Sequence, residues 1–283
     1  MARITVMGDN CVDQYLAPNE ARYPGGNAVN MSMHLKKLGN TTRYAGCIGD
    51  DADGAWLLRV LQRLGIDTNW VTTKEGKTGV TKISLKDGER TFEEEIVGVQ
   101  SPLIFSQQIL DEIAYESTFI VHTAFAGYQE GPKTHQPELE RELWYFEQAG
   151  VPVAMDFSIN SDPDLMQEFG PFLELAFVSA PDVSDEEAES LATSLKSLGP
   201  RCLILTRGAK GSLATDGKQI IRQPAEAITP VDTLGAGDSF LAGYVNARAK
   251  FQSTEECLRS ATALATEVCG YFGSCKLTDE ELA

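Results

Sequence analysis

The sequence predicts an α/β fold: a doubly wound, mostly parallel sheet with helices on both faces, plus a small β-lid. Three observations carry this. Short apolar runs alternate with amphipathic stretches along the chain, the pattern of a parallel sheet covered on both faces. Several runs end in a polar or small residue, as in Met7-Gly8-Asp9, Met155-Asp156 and Leu205-Thr206, and open α/β sheets bind ligands at those ends. Residues 76–97 break the alternation with polar, strand-like runs and no helix between them.

The strands read, in order, Ile4–Met7, Tyr44–Cys47, Phe119–His122, Val153–Met155, Leu175–Val178 and Cys202–Leu205. Between them the helical segments are Asn27–Leu38, Ala55–Leu64, Gln107–Ala114, Pro137–Gln148, Asp185–Leu198 and Ala236–Lys250. Thr78–Leu85 and Glu89–Ile96 are joined by Lys86-Asp87-Gly88, a hairpin signal. They carry Lys82, Arg90, Glu93, Glu94 and Glu95, too polar for core strands, so they read as a lid outside the parallel sheet. Cys11–Tyr23 reads as one further lid strand. A surface hairpin with no role is the competing reading. The chain is expected to be one domain, 1–283, with lid segments at about 11–23 and 76–97. Leu277–Ala283 reads as a solvated end.

Composition narrows the function. A net charge of −17 argues against a nucleic-acid partner, which needs a basic face, and against an anionic membrane surface. No apolar run has the length to cross a bilayer. The six cysteines, at 11, 47, 202, 257, 269 and 275, form no C-x-x-C pair and read as buried thiols in a reducing compartment. Cytoplasm is the expected location. The stretch Gly46–Gly54 looks like a calcium loop but lacks the closing Glu.

The most informative stretch is Asp232–Gly243, with Gly235-Ala236-Gly237-Asp238 at its centre. A glycine turn opening a helix leaves backbone N–H groups pointing outward, suited to an anion. A carboxylate at the same spot is best explained as a base acting on the group that attacks a phosphate. Walker, dinucleotide and protein-kinase signatures are absent from the sequence. A glycine cap followed by a capping Asp is the bland alternative.

Asp232-Thr233, Gly235-Ala236-Gly237-Asp238 and Ala242-Gly243-Tyr244 together resemble the C-terminal signature of the ribokinase (PfkB) family of carbohydrate kinases. Tyr23-Pro24-Gly25-Gly26-Asn27-Ala28-Val29-Asn30 resembles its N-terminal signature. The resemblance implies a ribokinase-like fold and an ATP- and Mg²⁺-dependent sugar kinase. It makes Asp238 the base and the amides of Gly235, Ala236 and Gly237 the anion hole. Sugar binding falls to Asp13 first and Asp9 second, with Gly25, Gly26, Asn27 and Asn30. Thr206-Arg207-Gly208-Ala209-Lys210-Gly211 resembles the nucleotide turn, placing Thr206, Gly208 and Gly211 at the phosphates, with Ser179 on the neighbouring strand end. An ordinary strand-to-hairpin turn competes with that reading.

The family's Asn-then-Glu pair is replaced by Ser179-Ala180-Pro181-Asp182-Val183-Ser184-Asp185-Glu186. This leaves Glu186 and Asp182 as candidates for Mg²⁺ through water, against plain surface acidity. Leu234 brings no side-chain oxygen, so a monovalent cation such as K⁺ at Asp232 would rest on backbone carbonyls. Gly8–Asp13, Gly25–Asn30, Ser179–Pro181 and Ile120–His122 look most like the family's fructoselysine-phosphorylating members. His122 and Arg90 are then candidate sugar contacts, with a hydrogen-bonded structural histidine equally admissible at 122. The Glu93–Glu95 run is a candidate for the cationic amino group of a glycated lysine, behind a solvated charge run. Kinases for fructose, other glycated amino acids or nucleosides are the alternatives, as is an inactive sugar-binding relative. The open lid edges predict a homodimer pairing lids.

Overall fold

Arg3–Met7, the apolar run that opens the chain, becomes an inner strand, β1. The computed structural model describes residues 1–16, 20–86, 89–100, 103–123, 137–159 and 162–283. On one side β1 pairs in parallel with β4 (Thr41–Gly49), and β4 with β5 (Asp67–Lys74). On the other it pairs with β8 (Phe119–His122), followed by β9 (Val153–Asp156), β10 (Leu175–Ser179) and β11 (Cys202–Thr206), all parallel. Two antiparallel strands, β12 (Ser212–Thr215) and β13 (Ile220–Gln223), close that edge.

Alternating strand residues feed two cores. Ile4, Val6, Leu175, Phe177 and Ile204 face one, and Met7, Ala176, Val178, Leu203 and Leu205 the other. The first core is covered by α1 (Asn27–Lys37), α2 (Ala52–Arg63), α7 (Ala236–Arg248) and α8 (Thr254–Val268). The second lies under α3 (Gln107–Glu116), α4 (Pro137–Gln148), α5 (Pro163–Phe169) and α6 (Asp185–Lys196). Helices on both faces make this a doubly wound fold. The chain winds outward from β1 in both directions, so the crevice between the ends of β1 and β8 is its switch point.

The predicted hairpin forms a separate sheet, in the order β3-β2-β6-β7. Its members are β2 (Cys11–Tyr15), β3 (Ala21–Gly25), β6 (Val80–Lys86) and β7 (Glu89–Ile96). Asp87 and Gly88 lie outside the described residues. Cys11–Tyr23 is therefore two antiparallel strands, not one. The sequence between them holds Pro18 and Asn19, and a proline has no N–H for a ladder. The apolar side of this sheet packs Tyr15 and Ile83 against Leu234 and Phe272.

The tail is also corrected. Thr278 caps a short helix, α9 (Asp279–Leu282), through a reciprocal capping box with Glu281. Leu277 and Leu282 pack on the first core, and Trp56 Nε1 donates to the Leu282 carbonyl at 2.8 Å. In the Gly46–Gly54 stretch, Asp51 caps α2 by accepting from Gly54 N–H, and it also binds Thr78. That carboxylate serves the fold. No described helix is long and apolar enough to cross a membrane, and the six cysteines are free.

Candidate active site

Asp9 follows β1 and reaches across the switch point. Its Oδ1 accepts from Thr123 Oγ1, just beyond β8, at 2.6 Å and from Ala28 N–H at 3.2 Å. Its Oδ2 accepts from Asn27 N–H at 2.7 Å. The carboxylate thus caps α1, whose own N-cap, Gly26, offers no side chain. Gly26 takes φ 94°, and a Cβ there would sit 2.6 Å from Asn10 Cα, so only glycine fits. Asn27 Nδ2 approaches Asp156 Oδ2 at 3.4 Å. Burial foremost, with Asp9 nearby, pushes the Asp156 carboxyl up to about 6. Asp13, buried on β2, lies against Gly25, where a Cβ would stand 2.3 Å from its carboxyl.

The second half of the site is the start of α7. Gly235 is its N-cap at φ 73°, without a side-chain cap. A Cβ on Gly235 would lie 2.6 Å from Ser274 Cβ, whereas one on Gly237 would meet nothing within 4 Å. Asp238, in the first turn, accepts from Asn30 Nδ2 at 2.8 Å. Asn30 Oδ1 in turn accepts from Ser274 Oγ at 2.8 Å. The Ser274 carbonyl is bonded by His34 Nε2 at 2.8 Å; a carbonyl only accepts, so that nitrogen carries the proton. Burial brings His34 down to about 4, which keeps the ring neutral. Residues from α1, α7 and the loop after α8 thereby fix the Asp238 carboxylate.

Beneath this turn, Asp232 is 0% exposed. It accepts from Tyr15 Oη at 2.5 Å and Gly273 N–H at 3.0 Å on Oδ2, and from Leu234 N–H at 2.9 Å on Oδ1.

The model of the pfkB family carbohydrate kinases matches residues 9–95 and 172–281. The chain belongs to this family. It is 35% identical over 279 residues to fructoselysine 6-kinase of Escherichia coli (strain K12), covering 97% of this chain and 100% of that protein. It is 32% identical over 274 residues to fructosamine kinase FrlD of Bacillus subtilis (strain 168), covering 96% and 92%. Arabidopsis thaliana ribokinase, solved with ribose and ATP, superposes with a TM-score of 0.82 at 24% identity, covering 96% and 94%. A putative ribokinase II from E. coli, solved with ATP and Mg²⁺, gives 0.79 at 15%, covering 97% and 94%. The chain is an ATP-dependent carbohydrate kinase with the ribokinase-like fold.

Against this family frame, the other candidates fall in distinct places. Thr206 ends β11 beside Ser179 of β10, in register. The turn beyond holds Gly208, exposed at φ 55°, and Gly211 at φ 88°. Asp182 and Glu186 are exposed, Glu186 in the first turn of α6. Arg90 lies on β7 opposite Leu85, its side chain outside the described residues. Glu93 and Glu94 are exposed and engaged by Ser84 and Lys82. His122 is 1% exposed, with Nε2 3.5 Å from Glu142 Oε2 of α4.

Three members of the site were absent from the sequence reading. Tyr15 and Ser274 reach it from 217 and 244 residues away along the chain, and no local pattern announces such contacts. Asp156 did carry a signal, as the polar end of an apolar strand.

Proposed function

We propose that this kinase phosphorylates fructoselysine on its primary 6-hydroxyl, giving fructoselysine 6-phosphate and ADP. The carrying observation is the Asp238 carboxylate held by Asn30 of α1, the helix whose first residue, Asn27, contacts the carboxylates of Asp9 and Asp156. The two relatives named above, each matched over nearly its full length, support the choice of sugar.

In this reading Asp13, Asn27 and Asn30 hold the sugar hydroxyls, and Gly25 and Gly26 let the backbone approach them. Asp238 accepts the proton of the primary hydroxyl. The new O–P bond forms as the bond from the γ-phosphorus to the β-bridging oxygen breaks, and ADP leaves with that electron pair. The Gly235–Gly237 amides face the transferring phosphoryl group. A carboxylate suffices as this base because phosphoryl transfer is loose and deprotonation comes late.

Thr206, Gly208, Gly211 and Ser179 border the nucleotide. Among the described residues no group of three or more acidic or imidazole side chains is arranged as a metal cage. Mg²⁺ is carried largely by nucleotide phosphates with one or two carboxylates; Glu186 would reach it through water. Bound there, Mg²⁺ supplies charge neutralisation on the phosphates. The second sheet acts as a lid that excludes water, and its outer strands are the edges for lid-to-lid pairing, which sizing chromatography tests.

The positive secondary amine beside the sugar favours fructoselysine over fructose in a crevice lined by Asp9, Asp13 and Asp156. The test is ADP release with fructoselysine, fructose and a nucleoside. The highest kcat/KM is expected for fructoselysine; an equal or greater value for another acceptor rejects the assignment.

A further inference from the structure

We infer that Tyr15 takes the place of a monovalent cation at Asp232, so that turnover in this kinase does not require K⁺. A carboxylate has about four acceptor positions. Three at Asp232 are filled, and both on Oδ2 are taken by Tyr15 Oη and Gly273 N–H. A bound cation exchanges its water shell for oxygen ligands. Here the groups converging on the carboxylate present the positive ends of O–H and N–H bonds instead. With its carboxylate so occupied, Asp232 does not fit the cation that the sequence reading allowed beside it.

The phenol is built into this position. Tyr15 is 4% exposed, its ring 4.2 Å from that of Phe272 at a 43° tilt and edge-on to Tyr23 at 5.9 Å. The Asp232 carboxylate accepts, so the Tyr15 hydroxyl is the donor of the bond between them.

Its bond crosses from β2 of the second sheet to the residue that opens the anion-hole turn. Gly273, on the same carboxylate oxygen, precedes Ser274, which holds Asn30 and through it Asp238. Tyr15 is therefore a positioning residue: it acts on the phosphoryl-transfer turn through Asp232 without touching the reacting atoms. A cation in solution exchanges freely; a tyrosine on the lid strand instead ties the shape of the turn to the seating of that strand.

The test compares wild type and Tyr15→Phe in potassium chloride and in tetramethylammonium chloride of equal ionic strength. Wild-type kcat is expected to agree between the two salts within about twofold, whereas Tyr15→Phe in tetramethylammonium loses about tenfold in kcat, the order for one hydrogen bond to a charged group. Potassium should restore part of the Tyr15→Phe rate, because the variant opens a position on Oδ2. A merely structural defect would not respond to the cation.

Potassium should not raise the wild-type melting temperature above that in tetramethylammonium, a readout that needs neither sugar nor a folded variant. The inference is overturned by potassium stimulation or potassium-specific stabilisation of wild type. A Tyr15→Phe enzyme at the wild-type rate, or one whose defect potassium leaves untouched, overturns it too. It rests on the kinase assignment and not on fructoselysine. The rates are read with whichever of fructoselysine or fructose is phosphorylated, so failure of the sugar assignment leaves this result legible.

Discussion

Two helices in this molecule begin the same way and end up with different chemistry. Both α1 and α7 start at a glycine with positive φ, Gly26 at 94° and Gly235 at 73°, and neither glycine supplies a cap. At α1 a carboxylate from elsewhere, Asp9, binds the first N–H groups. At α7 the Ala236 N–H meets instead a backbone carbonyl, that of Thr233, at 3.3 Å. A helix start carries about half a positive charge. The Asp9 carboxylate spends it at α1, leaving a polar but non-cationic wall for sugar hydroxyls. At α7 it stays available to a phosphoryl group. Asn30 of α1 bonds Asp238 of α7, so the base sits where the two environments meet.

The sharpest way to break this division is at the base. Asp238→Asn keeps the shape and the Asn30 contact but cannot take a proton. Turnover is expected to fall by about 10³-fold, within the usual range for a lost general base, while ATP affinity measured by calorimetry changes little. Wild-type-like turnover would remove Asp238 from its role. Next are the paired glycines. Gly235→Ala forces a Cβ against Ser274 and should cost about 10²-fold in kcat, the scale of a displaced oxyanion donor. Gly26→Ala pushes on Asn10 and should act mainly on the sugar KM. If the two substitutions gave the same kinetic signature, the two helix starts would not be doing different jobs.

The contrast was only half visible in the sequence. The turn at Gly235–Gly237 announced itself, because its residues are contiguous, whereas Gly25-Gly26 gained its weight only from the family resemblance. The inner strands announced themselves too, as their unbroken apolar runs need no partner to be recognised. Asp9 was read as the second-choice sugar ligand, after Asp13, from the family resemblance; that it caps α1 depends on how Thr123 and residues 26–28 meet across the switch point. The strand Asp67–Lys74 was missed because it lies at the sheet edge and is largely polar. The helix Thr254–Val268 was missed even though Ser253 and Glu256 spell a capping box. The Tyr15–Asp232 and Ser274–Asn30 bonds could not be read at all, since each joins segments more than 200 residues apart.

A smaller effect tests the capped end alone. Asp9→Asn removes the charge that neutralises α1 and weakens its hold on Asn27 and Ala28 N–H. The variant should lose about 1 kcal/mol of stability, the usual size of a cap, visible as a lower denaturant midpoint. Sugar KM should rise while the ATP KM holds. If the ATP KM rose instead, Asp9 would belong to the phosphate side of the site.

The smallest effect concerns the strut between the two helices, the His34–Ser274 bond. His34 is held at about 4 by burial, against about 6.5 in an unfolded chain. The unfolded state therefore takes up a proton first as pH falls. The His34 contribution to stability is complete above pH 6.5 and declines between 6.5 and 4. At pH 5.5 the loss is about 1 kcal/mol by linkage. His34→Gln keeps an N–H donor for the Ser274 carbonyl but has no titration in this window. Asp156, raised to about 6, contributes in the opposite direction, gaining stability as pH falls through the same range. Because it is present in both proteins, it cancels from the comparison. Denaturant unfolding at pH 7.5 and 5.5 should thus show a smaller acid loss in His34→Gln than in wild type. Equal losses would mean that the strut is not held by a neutral imidazole, and that the Ser274 loop owes its position under Asn30 to the Asp232 bonds alone.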